Sequence, residues 1–483
     1  MKKPELIFDY SAKNKSAYSL PPDFLPQITL DPIEKIDLLR SDRPNLPEVS
    51  EVDIVRHYTN ISKLNYGVDD GIYPLGSCTM KYNPKINEDL AALEGFLNIH
   101  PHQDPEDCQG ILQIMYELEQ YLCSIFGFAS FSLQPCAGAQ GEYTGLLIMK
   151  AYHKKKGNSH KNTILIPDSA HGTNPASVTG VGWKIKTIKS TPEGTVDIED
   201  LKTKLNDNIA GIMLTNPNTL GIFETNILKI DKLIHDLDGL IYWDGANANA
   251  IMGYAKPTDL GFDICHLNLH KTFSTPHGGG GPGSGPVGVV QKLVEFLPTP
   301  KTIYKNSKYD LCYNNPNSIG KLHSFYGNVN VLIKAYCYIR TLGANGLKET
   351  TENAVLLANY MKTKLSKHFD ISTKGLCKHE FIISLKNEKK EYGIKALDVA
   401  KRLIDYGYHP PTIYFPLIVP EALMIEPTET ETIESVDGFI ETMIKIKEEI
   451  KTEPELLLNA PQNTLIGRLD EAKAVKEPNL KRS

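Results

Sequence analysis

Lys271 follows an apolar run, Ile264 to Leu269, and precedes Thr-Phe, Pro276-His277 and the glycine run Gly278 to Gly285. A lysine amine in such a place can attack a carbonyl carbon. Asp244 ends a second apolar run, Leu240 to Trp243, before Gly-Ala-Asn247. An acid there is costly unless paired. A protonated ring nitrogen would be a fitting partner, in a charge-assisted bond worth about 1.5–3 kcal/mol. His171 lies in Asp168-Ser-Ala-His-Gly-Thr-Asn174, directly after Thr163 to Pro167, and could lie flat on a planar heterocycle. Gln134-Pro-Cys-Ala-Gly-Ala-Gln-Gly-Glu142 is a small-residue turn running into a helix. Its exposed amides and the helix dipole suit a phosphate. Asn216-Pro-Asn218 closes a further apolar run, Gly211 to Thr215.

Each segment alone has an ordinary explanation. The lysine could be a solvated surface residue, the aspartate a helix cap, the histidine a hydrogen-bonded loop residue, and Asn-Pro-Asn a turn. The small residues before Glu142 could serve packing. The glycine run permits close backbone approach. It is not a P-loop, because no Gly-Lys-Ser/Thr follows, nor a dinucleotide fingerprint, because a strand comes next. One cofactor uses all the parts together. Pyridoxal phosphate needs a lysine, a carboxylate facing its ring nitrogen, a flat group over the ring and an anion cradle.

The elements that must position these residues alternate along the chain. Helical spacing is expected over Ile111 to Phe126 and Gly138 to Tyr152, with short apolar strands at 163–167, 211–215, 240–243, 264–269 and 286–290. Short apolar strands alternating with helices imply a mostly parallel sheet covered on both faces. Ligands bind such a sheet at the carboxyl ends of its strands. After residue 325 the pattern shifts to helices at 330–342 and 353–365 and short strands near 381–385 and 412–415. A last helix is expected to open at Thr428, with Glu431 as its capping box and Ile433, Val436, Ile440 and Met443 as its apolar face. The expected organisation is an extended N-terminal arm (1–60), a large α/β domain (61–325), a small α+β domain (326–452) and a tail (453–483). The arm follows from seven prolines in the first 50 residues.

The chain has 483 residues and a net charge of −6, which excludes a broadly basic nucleic-acid surface. No apolar run reaches the ~18 residues of a membrane helix, and Met1 to Tyr10 does not read as an export signal. Eight cysteines without a C-x-x-C pair read as reduced thiols of a cytoplasmic protein, with neither a disulfide frame nor a metal site. A metal reading could cite only His100 with His102, or His266 with His270.

Longer segments carry a resemblance. Pro74-Leu-Gly-Ser-Cys-Thr-Met-Lys-Tyr-Asn-Pro84, Asp168 to Ser177, Leu214 to Gly221, Asn268-Leu-His-Lys-Thr-Phe273 and Tyr414 to Glu429 are similar to the glycine cleavage system P-protein. That family is the pyridoxal-phosphate-dependent, decarboxylating glycine dehydrogenase. Because the lysine motif is present, the chain resembles its subunit 2. The resemblance implies a fold type I transferase with a mostly parallel seven-stranded sheet. It also implies a homologous subunit 1, glycine as substrate, and the lipoyl arm of an H-protein as acceptor of the aminomethyl group. The family's Schiff-base lysine matches Lys271, its ring-stacking histidine His171, and its ring-nitrogen partner Asp244. Ala137, Gly138, Ala139 and Gln140 match the phosphate-side loop, with His270 nearby. Ala246, Thr173 and Asn216 complete the expected cofactor set. Ser274 and Lys334, where an arginine is common, depart from the pattern.

No arginine occurs between His57 and Ile339, leaving Arg340 and Arg402 as candidates in the smaller domain. Aminotransferases of similar architecture generally clamp the substrate carboxylate with a bidentate arginine. A decarboxylase gains nothing from fixing a leaving carboxylate as a stable ion pair. The gap leans towards decarboxylation. The rival expectations are another pyridoxal-phosphate decarboxylase or desulfurase, and a non-catalytic paralogous scaffold. Cys78 is expected to be a quiet buried thiol.

Overall fold

The structure, a computed structural model, describes residues 5–18, 24, 26, 40–42, 44–278 and 283–480. Much of the proline-rich arm and the middle of the glycine run (279–282) therefore lie outside the described residues. Two units emerge, one of residues 1–70 with 463–483, the other Gly71–Gln462. In the first, the helix Glu51–Ser62 starts at Ser50, whose hydroxyl accepts from the Asp53 amide while Asp53 reaches back in a capping box. The expected extended arm thus ends in regular helix.

The second unit holds a seven-stranded sheet. Its strands are β1 (Ser130–Ser132), β2 (Thr163–Pro167), β3 (Lys184–Ile188), β4 (Ile209–Thr215), β5 (Leu240–Gly245), β6 (Ile264–Leu267) and β7 (Val287–Val289). Their order is β1-β7-β6-β5-β4-β2-β3, and only β7 runs antiparallel to its neighbours. The central strands are buried along their whole length save Thr215 at the end of β4, as continuous apolar strands in a doubly covered sheet are. β3, Lys-Ile-Lys-Thr-Ile, escaped the sequence reading. It is an edge strand, largely outside the core, so nothing selects an apolar run there.

Side chains alternate across β5. Ile241 and Trp243 join one core layer, with Leu122, Phe126 and Phe273. Tyr242 faces the other, with Ile264, Leu146 and Met149. The helix Gly138–Lys155 lies on that second face. It approaches closely because Gly141 and Gly145, one turn apart, carry no Cβ: one at Gly145 would come within 2.3 Å of the Tyr242 ring, and one at Gly141 within 2.8 Å of His266 Cβ.

A hairpin follows, β8 (Lys301–Lys305) and β9 (Lys308–Cys312). The helical stretch Val329–Leu365 merges the two expected helices across a break at Gly343, where φ is +60°. A four-stranded antiparallel sheet comes next, in the order β10 (Asp370–Ile371), β11 (Phe381–Ser384), β13 (Ala422–Ile425), β12 (Thr412–Ile413). The final long helix spans Ile433–Thr452. It starts later than expected because Thr432, not Thr428, caps the Ser435 amide. Thr428 is buried at φ +64°, and Glu431 accepts from the Ser435 hydroxyl instead. Val436, Ile440 and Met443 are buried as expected, while Ile433 is exposed. Beyond it, Pro454–Leu458 forms a short helix that buries Leu457 in the same core. Among the described residues, no helix is long and apolar enough to cross a membrane.

Trp243 is fully buried against Phe126 and Phe262 and donates to the Asn216 carbonyl at 2.9 Å. Trp243→Ala should destabilise the fold by about 3–5 kcal/mol; a lower denaturation midpoint in urea checks this.

Candidate active site

The carboxyl ends of β2, β4, β5 and β6 deliver the sequence-selected residues to one region. Parallel pairing sets Asp244 on β5 opposite His266 on β6. Partners in register share a sheet face, so the two side chains meet: His266 Nε2 lies 3.5 Å from Asp244 Oδ1. The Tyr242 hydroxyl, from the same face of β5, is 2.7 Å from His266 Nδ1. With Nδ1 accepting that hydroxyl, Nε2–H faces the acid.

Asp244 is buried. Its Oδ2 accepts from Asn174 Nδ2 at 3.0 Å and its Oδ1 from the Ala246 amide at 3.0 Å. Burial opposes the charge, but His266, those two hydrogen bonds and Lys271 outweigh it and hold the carboxyl below the usual carboxylate range. Burial lowers His266, so the neutral ring, through its N–H dipole, supports the anion. Glu142, on the overlying helix, shows the opposite response. Burial and the nearby Asp244 charge push it up to about 8, leaving it protonated at neutral pH.

Lys271 does not end β6. The strand stops at Leu267, and the lysine sits on a single helical turn, Leu269–Thr272. This overturns the strand expected through Leu269: the Leu269 amide still bonds the Ser284 carbonyl in register with β7, but the Lys271 amide turns back to the Asn268 carbonyl and the Phe273 amide to the Leu269 carbonyl, closing a helical turn. Lys271 Nζ donates to the Ser77 carbonyl at 2.6 Å. His171 projects from the loop after β2. Its Nδ1 lies 2.9 Å from the Thr173 hydroxyl and accepts the Thr173 amide at 3.2 Å, and its ring stands edge-on to Phe415 at 5.5 Å. His171 is solvent-exposed overall, yet surrounding atoms desolvate it enough to lower its basicity, with Asp244 pulling it back and Lys271 pushing it further down. His171, Asp244 and Lys271 are thus within electrostatic reach of one another.

The helix Gly138–Lys155 begins at Ala137 with no side-chain cap, so the amides of Gly138, Ala139 and Gln140 lack helical acceptors. Gln140 braces the turn by accepting the Cys136 amide at 2.7 Å. Around this helix start, the buried Asn268 Oδ1 and Ser284 Oγ have no protein partner. A Cβ on Gly138 would fall 2.5 Å from Asn268 Oδ1, and one on Gly285 would fall 2.2 Å from the Ala137 carbonyl. The unpartnered Ser284 hydroxyl, a capless helix and glycine-only clearance fit a bound phosphate. With a buried carboxylate and a lysine amine nearby, the donor set fits pyridoxal phosphate. His270 accepts the Ser284 amide at 3.2 Å and stands edge-on to His277 at 5.0 Å. Burial lowers it to about 3, with the neighbouring His277 and Lys271 adding to the shift. Asn216 is tied to the strand end, where its Oδ1 accepts the Glu224 amide at 3.0 Å.

Several neighbours were not singled out from the sequence: Asn174, Glu142, the turn Ser77 to Thr79, His277, His379, Glu380 and Glu426. Ser77 to Thr79 and Glu426 lay inside two of the quoted motifs, which was the available signal. Cys78 is half-buried rather than buried, and burial raises its thiol, partly offset by Lys271. Ser274 sits at φ +55° with its hydroxyl bonded to the Tyr82 carbonyl, and Lys334 pairs with Glu88 at 2.6 Å. Arg402 is held by Glu449 at 2.9 and 3.0 Å, and Arg340 by Tyr336 at 3.1 Å and Tyr121 at 3.3 Å.

The family model described as glycine dehydrogenase, C-terminal domain, matches residues 350–467. The chain is 58% identical over 473 residues to a probable glycine dehydrogenase (decarboxylating) subunit 2 from Caldanaerobacter subterraneus subsp. tengcongensis, covering 98% of this chain and 97% of the relative. It is 55% identical to a protein of the same description from Staphylococcus epidermidis, covering 99% of this chain and 95% of the relative. Among solved structures, a glycine decarboxylase (P-protein) of the glycine cleavage system in inhibitor-bound form superposes with a TM-score of 0.71 at 18% identity, covering 88% of this chain and all of that one. A cysteine desulfurase from Thermococcus onnurineus NA1 gives 0.60 at 15% identity, covering 79% and 97%. The architecture is that of fold type I pyridoxal-phosphate enzymes.

A raised acid binds its proton more tightly folded than unfolded, so Glu142 should erode stability as pH rises from about 4.5 towards about 8. Denaturation across that range should show Glu142→Gln gaining on the native protein as pH rises.

Proposed function

The chain belongs to the glycine dehydrogenase (decarboxylating) subunit 2 family, and from that premise we propose that it decarboxylates glycine and passes the aminomethyl group to the lipoyl arm of an H-protein. We assign it the cofactor-carrying role beside a homologous subunit 1, as an αβ pair or its dimer, in the cytoplasm. The observation that supports the reading is that Asp244, Lys271 and His171, beyond the carboxyl ends of β5, β6 and β2, lie within electrostatic reach of one another.

Pyridoxal phosphate, when bound, supplies an electron sink for the bond pair released as carbon dioxide leaves. The protein's part is placement and charge. Asp244, ionised and fixed by Asn174 and Ala246, is suited to hold a proton on a ring nitrogen. His266 keeps that acid from relaxing away. The amides of Gly138 to Gln140, with the Ser284 hydroxyl, are suited to the phosphate. His171, uncharged and oriented by Thr173, offers a flat face. Lys271 supplies the amine that holds the aldehyde carbon and can move protons when free.

Both arginines of the Gly71–Gln462 unit, Arg340 and Arg402, are committed to tyrosines and carboxylates of their own surroundings. Neither clamps a substrate carboxylate at Lys271, which supports loss of that group over its retention.

With both subunits, H-protein and glycine present, exchange of labelled carbon dioxide into glycine should be lipoyl-dependent. Lys271→Ala should abolish both the exchange and the visible absorbance of bound cofactor. Asp244→Asn should lower the exchange by about a hundredfold or more. No exchange in the complete mixture would defeat the proposal.

A further inference from the structure

The segment from Leu75 to Asn83 runs from the small sheet to the lysine's helical turn. Leu75 bridges Ile425 of β13, and the Gly76 carbonyl accepts the Thr412 hydroxyl at 2.7 Å. At its other end, Lys81 Nζ donates to the Thr272 carbonyl at 3.0 Å and Asn83 Nδ2 to the Ser274 carbonyl at 2.9 Å. Between these anchors, the Ser77 carbonyl takes the Lys271 amine. Ser77 and Thr79 both lie in the left-handed region, at φ +66° and +47°. Non-glycine residues hold that backbone only where surroundings enforce it.

Two buried glutamates enforce it. Glu380 Oε2 accepts the Ser77 amide at 2.7 Å. Glu426 accepts the Thr79 amide at 3.2 Å and hydroxyl at 2.7 Å, Asn247 Nδ2 at 3.0 and 3.1 Å, and Asn249 Nδ2 at 3.3 Å. Polar atoms of His379, Glu380 and Glu426 lie within 4.8 Å of one another. Such a cluster could hold a metal ion, but Glu426 is already saturated by protein donors. Two buried carboxylates this close cannot both ionise without added positive charge.

The facing charges decide how many protons remain. Lys81 is paired with Glu429 at 2.5 Å. Lys271 is the remaining cation facing the pair, and His277, His379 and the Cys78 thiol also face it. Burial lowers both histidines, leaving them neutral. One cation balances one anion. One of the two carboxyls therefore keeps a proton, and Glu380, which accepts only one amide and is pushed up by burial and the neighbouring Glu426, is where it is held most tightly.

We propose that Glu380 and Glu426 share a single proton and act as a positioning pair, pinning the Ser77–Thr79 turn so that its carbonyl receives the Lys271 amine whenever that amine is free. The inference rests on the assignment of Lys271 to the cofactor. Cofactor absorbance tests that assignment separately; the measurements below use cofactor-free protein, in which the Lys271 amine is free, and do not depend on it.

Infrared difference spectra at neutral pH, wild type minus Glu380→Gln and wild type minus Glu426→Gln, should each show one protonated carboxyl lost. Subtraction removes the common contribution of Glu142. A wild type with no such band, or variants that both retain it, would overturn the shared proton. So would a divalent ion co-purifying in stoichiometric amount and lost in Glu426→Gln. Alkylation of Cys78, followed by mass spectrometry of its peptide, reads the turn. Because the Glu426 charge itself raises the Cys78 thiol, rates are compared at pH values where the thiol is fully ionised in both proteins; there Glu426→Ala should speed alkylation by about tenfold or more as charged hydrogen bonds are lost. An unchanged rate in a variant whose circular dichroism matches wild type would overturn the positioning role.

Discussion

A charged carboxylate in an apolar sheet is the constraint on which the rest of the site depends. Asp244 is buried where β5 ends, and water cannot solvate it. Its charge survives because parallel register brings His266 alongside, the Thr173–Gly180 helix brings Asn174, and the turn after the strand returns the Ala246 amide. Each partner belongs to a different segment, so the anion exists only in the assembled fold. Its charge then propagates outward, suppressing ionisation of Glu142 and biasing His171.

Glycine serves this arrangement by omission. Gly141 and Gly145 let a helix lie directly on Tyr242 and His266, and Gly138 and Gly285 clear the space at that helix's start. The same helix therefore presses the sheet from one side and presents its free amides at the strand ends. Close packing on the sheet and the exposure of these amides are two consequences of one short helix-to-sheet approach.

The site also joins two sheets. Lys271 comes from the large one, while Glu380 and Glu426 flank strands of the small one and reach the lysine through the Ser77–Thr79 turn. A three-residue turn in a costly backbone conformation is a sensible link, because it holds shape only while both sheets keep their grip. The decarboxylase reading draws on the same economy of charge. Buried Lys81 is paired with Glu429, and the two arginines of the Gly71–Gln462 unit are engaged by tyrosines and carboxylates of their own surroundings.

The strands at 163–167 and 240–243 and the helix from Gly138 were legible in the sequence, and the proposed trio Lys271, Asp244 and His171 was read from the polar residues that follow such strands. Apolar runs ending in polar residues are local patterns, and a doubly covered parallel sheet leaves few other ways to read them. The quoted motifs carried the family. The edge strand β3, the capping of the last helix by Thr432, and the helical turn bearing Lys271 were not legible, because solvent, a competing hydroxyl and backbone bonds to the Asn268 and Leu269 carbonyls decided them. Nor could local pattern reveal that Glu380 and Glu426, separated along the chain from Lys271, would converge on its amine. Sequence determined which groups could carry charge; the tertiary structure decided which of them do, because ionisation in a buried site depends on neighbours that only folding supplies.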